Sequence, residues 1–180
     1  RAYAYFHSQG LENKAIAKEI EKLVFIPETN DTKIFYKDND ITSLIRNEEI
    51  AKVASQLSAL SKTRESLIDI QRNFMQGSNL IADGRDMGTV VFPEAELKIF
   101  LIASAEVRAK RRYLELQNRG QEVNMRDLIA DIEHRDMKDK TRTLSPLIPA
   151  EDSIIVDSSK MSLEEVLSFT KKLTKKEFDK

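Results

Sequence analysis

The string Asp83-Gly84-Arg85-Asp86-Met87-Gly88 sets a planar guanidinium and a carboxylate between two glycines. Glycine lets backbone approach a ligand closely, arginine offers a fork of donors matched to phosphate, and aspartate is an acceptor. On spacing alone, a tight strand-to-helix turn with a surface ion pair accounts for the string at least as well. A second cluster runs from Glu133 to Arg142. If it is helical, Arg135, Asp139 and Arg142 follow i, i+4, i+7 spacing and share one face beside the apolar stripe of Leu128, Ile129 and Ile132. The bland alternative is a salt-bridge ladder that includes Asp131. It explains less well why two arginines flank one carboxylate at a core edge.

Two quieter sets complete the chemistry. Ser55 shares a face with Ala51 and Ala59, a small-residue surface that permits close approach, and Arg64 extends the stripe of Leu67 and Ile68. An arginine on such a stripe is usually a snorkelling side chain. Arg108, Arg111 and Arg112 crowd one helix, where a solvated basic face is the simpler account.

Elements that position these residues follow from the pattern. Residues 1–22 read as helical, with a break at Gly10 and a restart at an Asn13 cap. Val24–Ile26, Ile34–Tyr36 and Ile41-Thr42 are β-type runs separated by the turn residues Asn30-Asp31 and Asp38-Asn39, a small antiparallel sheet. Helices follow from Asn47, and from Ser61 to a stop at Gly77, the latter carrying Phe74 and Met75. Beyond Asn79 the pattern turns α/β. Leu80–Ala82, Leu97–Ala103 and Ile154–Val156 read as strands, and helices run from a Ser104 cap to Asn118 and from an Asn124 cap to Lys140. Such alternation implies a parallel sheet, with a last helix over Ser162–Lys172. Ligands of open α/β sheets bind at the carboxyl ends of strands, where Arg85 and Asp157 fall.

Composition narrows the function. The chain has 180 residues, and 29 Lys+Arg against 30 Asp+Glu give a net charge of −1. A general nucleic-acid binder needs a basic excess. Cysteine is absent, which excludes thiol catalysis and disulfides, and His7 and His134 make a poor metal set. No apolar run approaches a membrane span, so a cytoplasmic protein is expected. Glycines 10, 77, 84, 88 and 120 offer no G-x-x-x-x-G-K-[ST] spacing, so no P-loop is found in these residues.

The string GRDMGTVVFP resembles the signature of bacterial-type cytidylate kinases. The likeness extends over nearly the whole chain. It runs through ITSLIRNEEIAKVASQLSALSKTRESLIDIQRNF, through LKIFLIAS with EVRAKRRYLELQNRG, and through DLIADIEHRDMKDKTRTLSPLIPAEDSIIVDSS. It implies a nucleoside monophosphate kinase-like α/β fold, with a parallel sheet flanked by helices and a small antiparallel insert at 23–42. The core would comprise 1–22 and 78–180 with a lid near 104–120, and residues 23–77 would form the CMP-binding region.

The implied activity is transfer of the terminal phosphoryl of ATP to CMP or dCMP, with Mg2+, by a monomer that engages neither nucleic acid nor membrane. Arg85, Arg135 and Arg1 would hold the CMP phosphate, while Ser55, Arg64 and Asp86 read the base. Asp139 would bind the sugar hydroxyls, Arg142 would sit near the transferring phosphoryl, and Arg108, Arg111 and Arg112 would lie in the ATP lid. No side chain is assigned to a metal directly, and Asp83 would order a magnesium-bound water.

The family opens with a strand and P-loop that this sequence does not contain. The expectation is therefore that these 180 residues alone are poorly stable and inactive, and a truncated nucleotide-binding fragment is the alternative. An adaptor role resting on the basic Lys171–Lys176 tail has little else behind it.

Overall fold

Gly10 sits at φ +83, a left-handed conformation that ends one helix and lets the chain start another at low cost. In the computed structural model, which describes residues 1–29, 31–75, 79–118 and 120–179, that break separates α1 (Ala2–Ser8) from α2 (Asn13–Ile20). Glu12 occupies the cap position of α2 and Asn13 is its first helical residue, one place on from the expected cap. The chain forms two compact units, Arg1–Ile81 and Ala82–Lys180.

The first unit is built on an apolar cluster. Tyr3, Phe6, Ile16, Ile20, Leu23, Ile34, Ile41, Ile45 and Ile70 pack together, with Ile16 fully buried. Residues 1–22, expected to join 78–180, thus share a core with residues 23–70. Three antiparallel strands, β1 (Val24–Pro27), β2 (Thr32–Tyr36) and β3 (Asn39–Asp40), lie in that order. Lys37 and Asp38 join β2 to β3 at φ 47 and 64, a two-residue turn with both residues left-handed, whose twist matches that of the flanking strands.

The third strand was expected at Ile41-Thr42 and lies two residues earlier. The Asp40 carboxylate accepts the Thr42 N–H at 2.9 Å, which starts helix α3 (Thr42–Arg46), and Ile41 turns into the core. Helix α4 (Glu48–Leu57) begins as expected at Asn47, whose side chain accepts the Ile50 N–H at 2.7 Å, with Glu48 and Glu49 favourably placed in its first turn. Helix α5 (Ser61–Asn73) ends before Phe74 and Met75. The expected stop at Gly77 lies outside the described residues.

The second unit carries a parallel pair, β4 (Ile99–Ile102) and β5 (Ile154–Asp157), in register Ile99 to Ile154 and Ile102 to Asp157. Between them run α6 (Ala105–Asn118) and α7 (Met125–Thr141), which pack on each other. Both start at the expected caps. Ser104 Oγ accepts the Val107 N–H at 3.3 Å, and Asn124 Oδ1 accepts the Arg126 N–H at 2.8 Å. Helix α8 (Leu163–Phe178) opens with a reciprocal capping box of Ser162 and Glu165 and outruns its expected end at Lys172.

Leu80–Ala82 is not a strand. It has no ladder partner among the described residues, and Ile81 is 98% exposed, so its apolar side chain gains nothing from an extended conformation. No helix among the described residues is long and apolar enough to cross a membrane.

Candidate functional site

Asp139 is the centre of the site. It lies near the end of α7 and is 8% exposed, and a buried carboxylate demands charged partners. Three arginines supply them. Arg85 Nε donates to Oδ2, Arg142 Nη1 donates to Oδ1 at 3.3 Å, and Arg135 Nε stands 4.0 Å from Oδ2. Two of these arginines come from α7 and its C-terminal boundary, as the i, i+4, i+7 spacing predicts. Arg85 arrives from 54 positions away in sequence, so the arrangement is tertiary and not a ladder along one helix.

Arg142 is nearly buried, while Arg85 and Arg135 keep much of their surface in solvent. Arg85 and Arg135 thus present guanidinium surface to solvent around one buried carboxylate. Guanidinium forks bind a phosphate dianion bidentately. Chain reversal after α7 fixes the cluster further. Arg142 Nε donates to the Ser145 carbonyl, Ser145 takes φ 49, and the Leu147 N–H donates to the Asp139 carbonyl at 2.8 Å.

Arg85 is delivered by the loop 83–86, which runs into a single π-type turn at Met87–Val91. The Asp86 carbonyl accepts the Val90 and Val91 N–H groups at 2.9 and 3.2 Å and anchors that turn. A Cβ at Gly88 would meet Lys98 Cδ at 3.3 Å, a tight contact to which the lysine stem would have to yield. Lys98 is itself held by both oxygens of Asp152, at 2.9 and 2.7 Å, and this pair keeps the Asp152 carboxyl below its ordinary value of 3.8.

At the exits of β4 and β5 a polar lacework forms. Ser159 donates to Asp157 through its Oγ at 2.6 Å and its N–H at 2.8 Å, which lowers the Asp157 pKa, and Ser159 Oγ accepts the Ser104 N–H at 3.1 Å. The three arginines of α6 take different partners. Arg108 forks onto Asp136, and Arg111 donates to the carbonyls of Ser158 at 2.7 Å and Met161 at 3.2 Å. Arg112 meets Glu115 at 2.8 Å.

The remaining sequence-derived positions belong to the first unit. Arg1 donates to the Arg46 carbonyl at 2.9 Å, Ser55 is exposed on α4, and Arg64 Nε donates to the Ser58 carbonyl at 2.6 Å, bracing the turn between α4 and α5. Asp83 is exposed. Asp136 and Lys98 escaped the sequence reading. Asp136 stands beside Arg135, but its partner is 28 positions away, beyond any local period. No three His, Asp or Glu side chains among the described residues converge on a point that could hold a metal.

A family model described as cytidylate kinase matches residues 1–176. The cytidylate kinase of Aeromonas hydrophila is 50% identical over 143 residues, covering 79% of this chain and 62% of that protein. Cytidylate kinase 1 of Haemophilus influenzae is 46% identical over 143 residues, again 79% and 62%. The cytidylate kinase of Mannheimia succiniciproducens is 45% identical over 144 residues, 80% and 64%. The chain thus spans somewhat under two thirds of the length of these curated relatives.

Proposed function

The chain belongs to the cytidylate kinase family, and on that premise we propose that it transfers the terminal phosphoryl of ATP to CMP or dCMP, giving CDP or dCDP. The observation that carries this reading is the convergence of Arg85, Arg135 and Arg142 on buried Asp139. Phosphoryl transfer asks for positioning and for cancellation of charge on equatorial oxygens, and little else of the protein. Preorganised arginines meet both needs.

In this reading Arg85 and Arg135 grip the acceptor phosphate, and Arg142 stands by the transferring group. Asp139 uses one oxygen for Arg85 and the other for Arg142, and each oxygen has a second lone pair for a sugar hydroxyl. Asp86 reads cytosine. The likeness to the family would add Arg1 as a phosphate ligand and Ser55 and Arg64 as readers of the base. The acceptor phosphate is already ionised and needs no general base. Mg2+ is a hard cation that keeps several waters and is held largely by substrate phosphates. It would supply charge neutralisation at the phosphoryl oxygens, and Asp83 would hold one of its waters. The protein works as a cytoplasmic monomer on small molecules, and its near-zero net charge offers no basic excess for nucleic acid.

Calorimetric titration with CMP and UMP tests the acceptor site directly, and a coupled assay with ATP, on the protein with the family's P-loop segment in place, tests transfer. Tighter binding of CMP than of UMP, with both weakened in Arg135→Ala, is the expected result. Equal, weak binding of both nucleotides to the parent chain would overturn the proposal.

A further inference from the structure

Three arginines crowd α6, and the sequence treats them alike, yet in the structure Arg108 forks onto Asp136 of α7. Its Nε donates to the Ala103 carbonyl at the exit of β4, at 3.0 Å. Its Nη1 donates to Asp136 Oδ1 at 3.0 Å and its Nη2 to the other oxygen. One guanidinium therefore ties a strand exit, the first turn of α6 and the middle of α7. Both partners are largely shielded, Arg108 at 35% and Asp136 at 27% side-chain exposure. Resting on the assignment of the Asp139 cluster to the acceptor phosphate, we infer that Arg108 is a positioning residue for that cluster and not a ligand of ATP.

The reasoning is geometric. Asp136 directly follows Arg135 and precedes Asp139 by three residues, so fixing Asp136 fixes the rotation of the face that carries Arg135 and Asp139. A fork of two parallel bonds resists rotation where a point charge would not. Side-chain tips stand about 6 Å or more from a helix axis, so a turn of about 10° moves them by about 1 Å. Misplacement on that scale is enough to cost about a hundredfold in a positioned reaction. An Arg108 that swung out to a triphosphate would surrender both bonds to Asp136 at the moment the acceptor site must be rigid.

The test uses Arg108→Ala, Asp136→Ala, the double variant, Arg108→Lys, and the exchanged pair Arg108→Asp with Asp136→Arg. Read-outs are the Kd for CMP, the KM for CMP and for ATP, and the melting temperature. Each alanine variant should weaken CMP about tenfold, and the double variant should be no worse than either single one. The KM for ATP should stay within about twofold. The exchanged pair should recover part of the lost affinity, and Arg108→Lys, lacking the fork, should fall between parent and alanine. If Arg108→Ala fails to fold, Arg108→Lys carries the comparison. A raised KM for ATP with unchanged CMP affinity overturns the inference, as do additive alanine effects. A parent chain that binds no CMP overturns the acceptor-site reading and this inference with it. A parent that binds CMP, with variants that bind it equally well, overturns this inference alone.

Discussion

The two units are held together by different physics. Residues 1–81 gather nine large apolar side chains into one cluster. Among the buried residues of 82–180 the apolar ones are Val91, Ala109, Leu116 and Val156, and beside them lie Asp139 and Ser158. What the second unit lacks in oil it replaces with directed bonds, among them Arg85 to Asp139, Arg108 to Asp136, Lys98 to Asp152 and Arg111 to two carbonyls. Apolar burial is non-directional and tolerant of small displacements. Charged forks specify angles.

Truncation in the apolar cluster should separate the two most strongly. Ile16→Ala removes a fully buried side chain and should cost about 2–5 kcal/mol of stability, measured by urea unfolding. A loss under 1 kcal/mol would show that the cluster is not what holds the first unit. Next in size is Arg135→Ala, which should lower kcat/KM for CMP by about a hundredfold, or about 2.7 kcal/mol. Its melting temperature should barely move, because the Arg135 side chain is half-exposed and surface ion pairs contribute little. Unchanged kinetics would return this face to a surface ladder.

Base choice should respond more gently. The cytosine amino group donates where uracil presents a carbonyl, so a carboxylate at Asp86 discriminates and an amide does not. Asp86→Asn should reduce CMP activity and narrow the CMP-to-UMP ratio of kcat/KM by about tenfold, near 1.4 kcal/mol. A ratio that stays put removes Asp86 from base reading.

The smallest effect is an acid limb. Lys98 and its hydrogen bonds hold Asp152 below its ordinary 3.8. A depressed carboxyl stabilises the fold above that ordinary value and loses the contribution as pH falls through its lowered one. Lys98→Met should therefore flatten the decline in melting temperature as pH falls below the ordinary carboxyl value of 3.8, while leaving the decline from other carboxylates. An identical slope in both proteins would assign the acid limb elsewhere.

How much of this the sequence disclosed depended on range. Helix starts at Asn47, Ser104 and Asn124 were legible because a cap is a local event, one side chain answering an N–H two or three residues on. The β2–β3 turn was placed one residue late, at Asp38-Asn39. Lysine marks left-handed turns poorly, yet Lys37 takes φ 47 there. Leu80–Ala82 was misread because three apolar residues carry no period, and a strand exists only through a partner. The helical spacing of Arg135, Asp139 and Arg142 was visible, but the arrival of Arg85 was not, since nothing in a 3.6-residue repeat records a contact across 54 positions. The π-type turn at Met87–Val91 was equally hidden, its β-branched residues favouring other conformations.

The register of β4 with β5 also bears on the order in which the chain acquires its shape. Ile99 and Ile154 are about 55 positions apart, and every bond of that ladder closes a loop of similar length. Closure entropy must be met before the ladder returns anything. The antiparallel β1–β2–β3 strands close over short spans and pair on a far faster timescale. The α6 and α7 segments lie within the long loop and pack on each other, so their early association shortens the effective loop and brings the strand ends together. Arg108, joining the end of β4 to α7, then serves as a late fastening in assembly. Weakening it should quicken unfolding more than it slows folding.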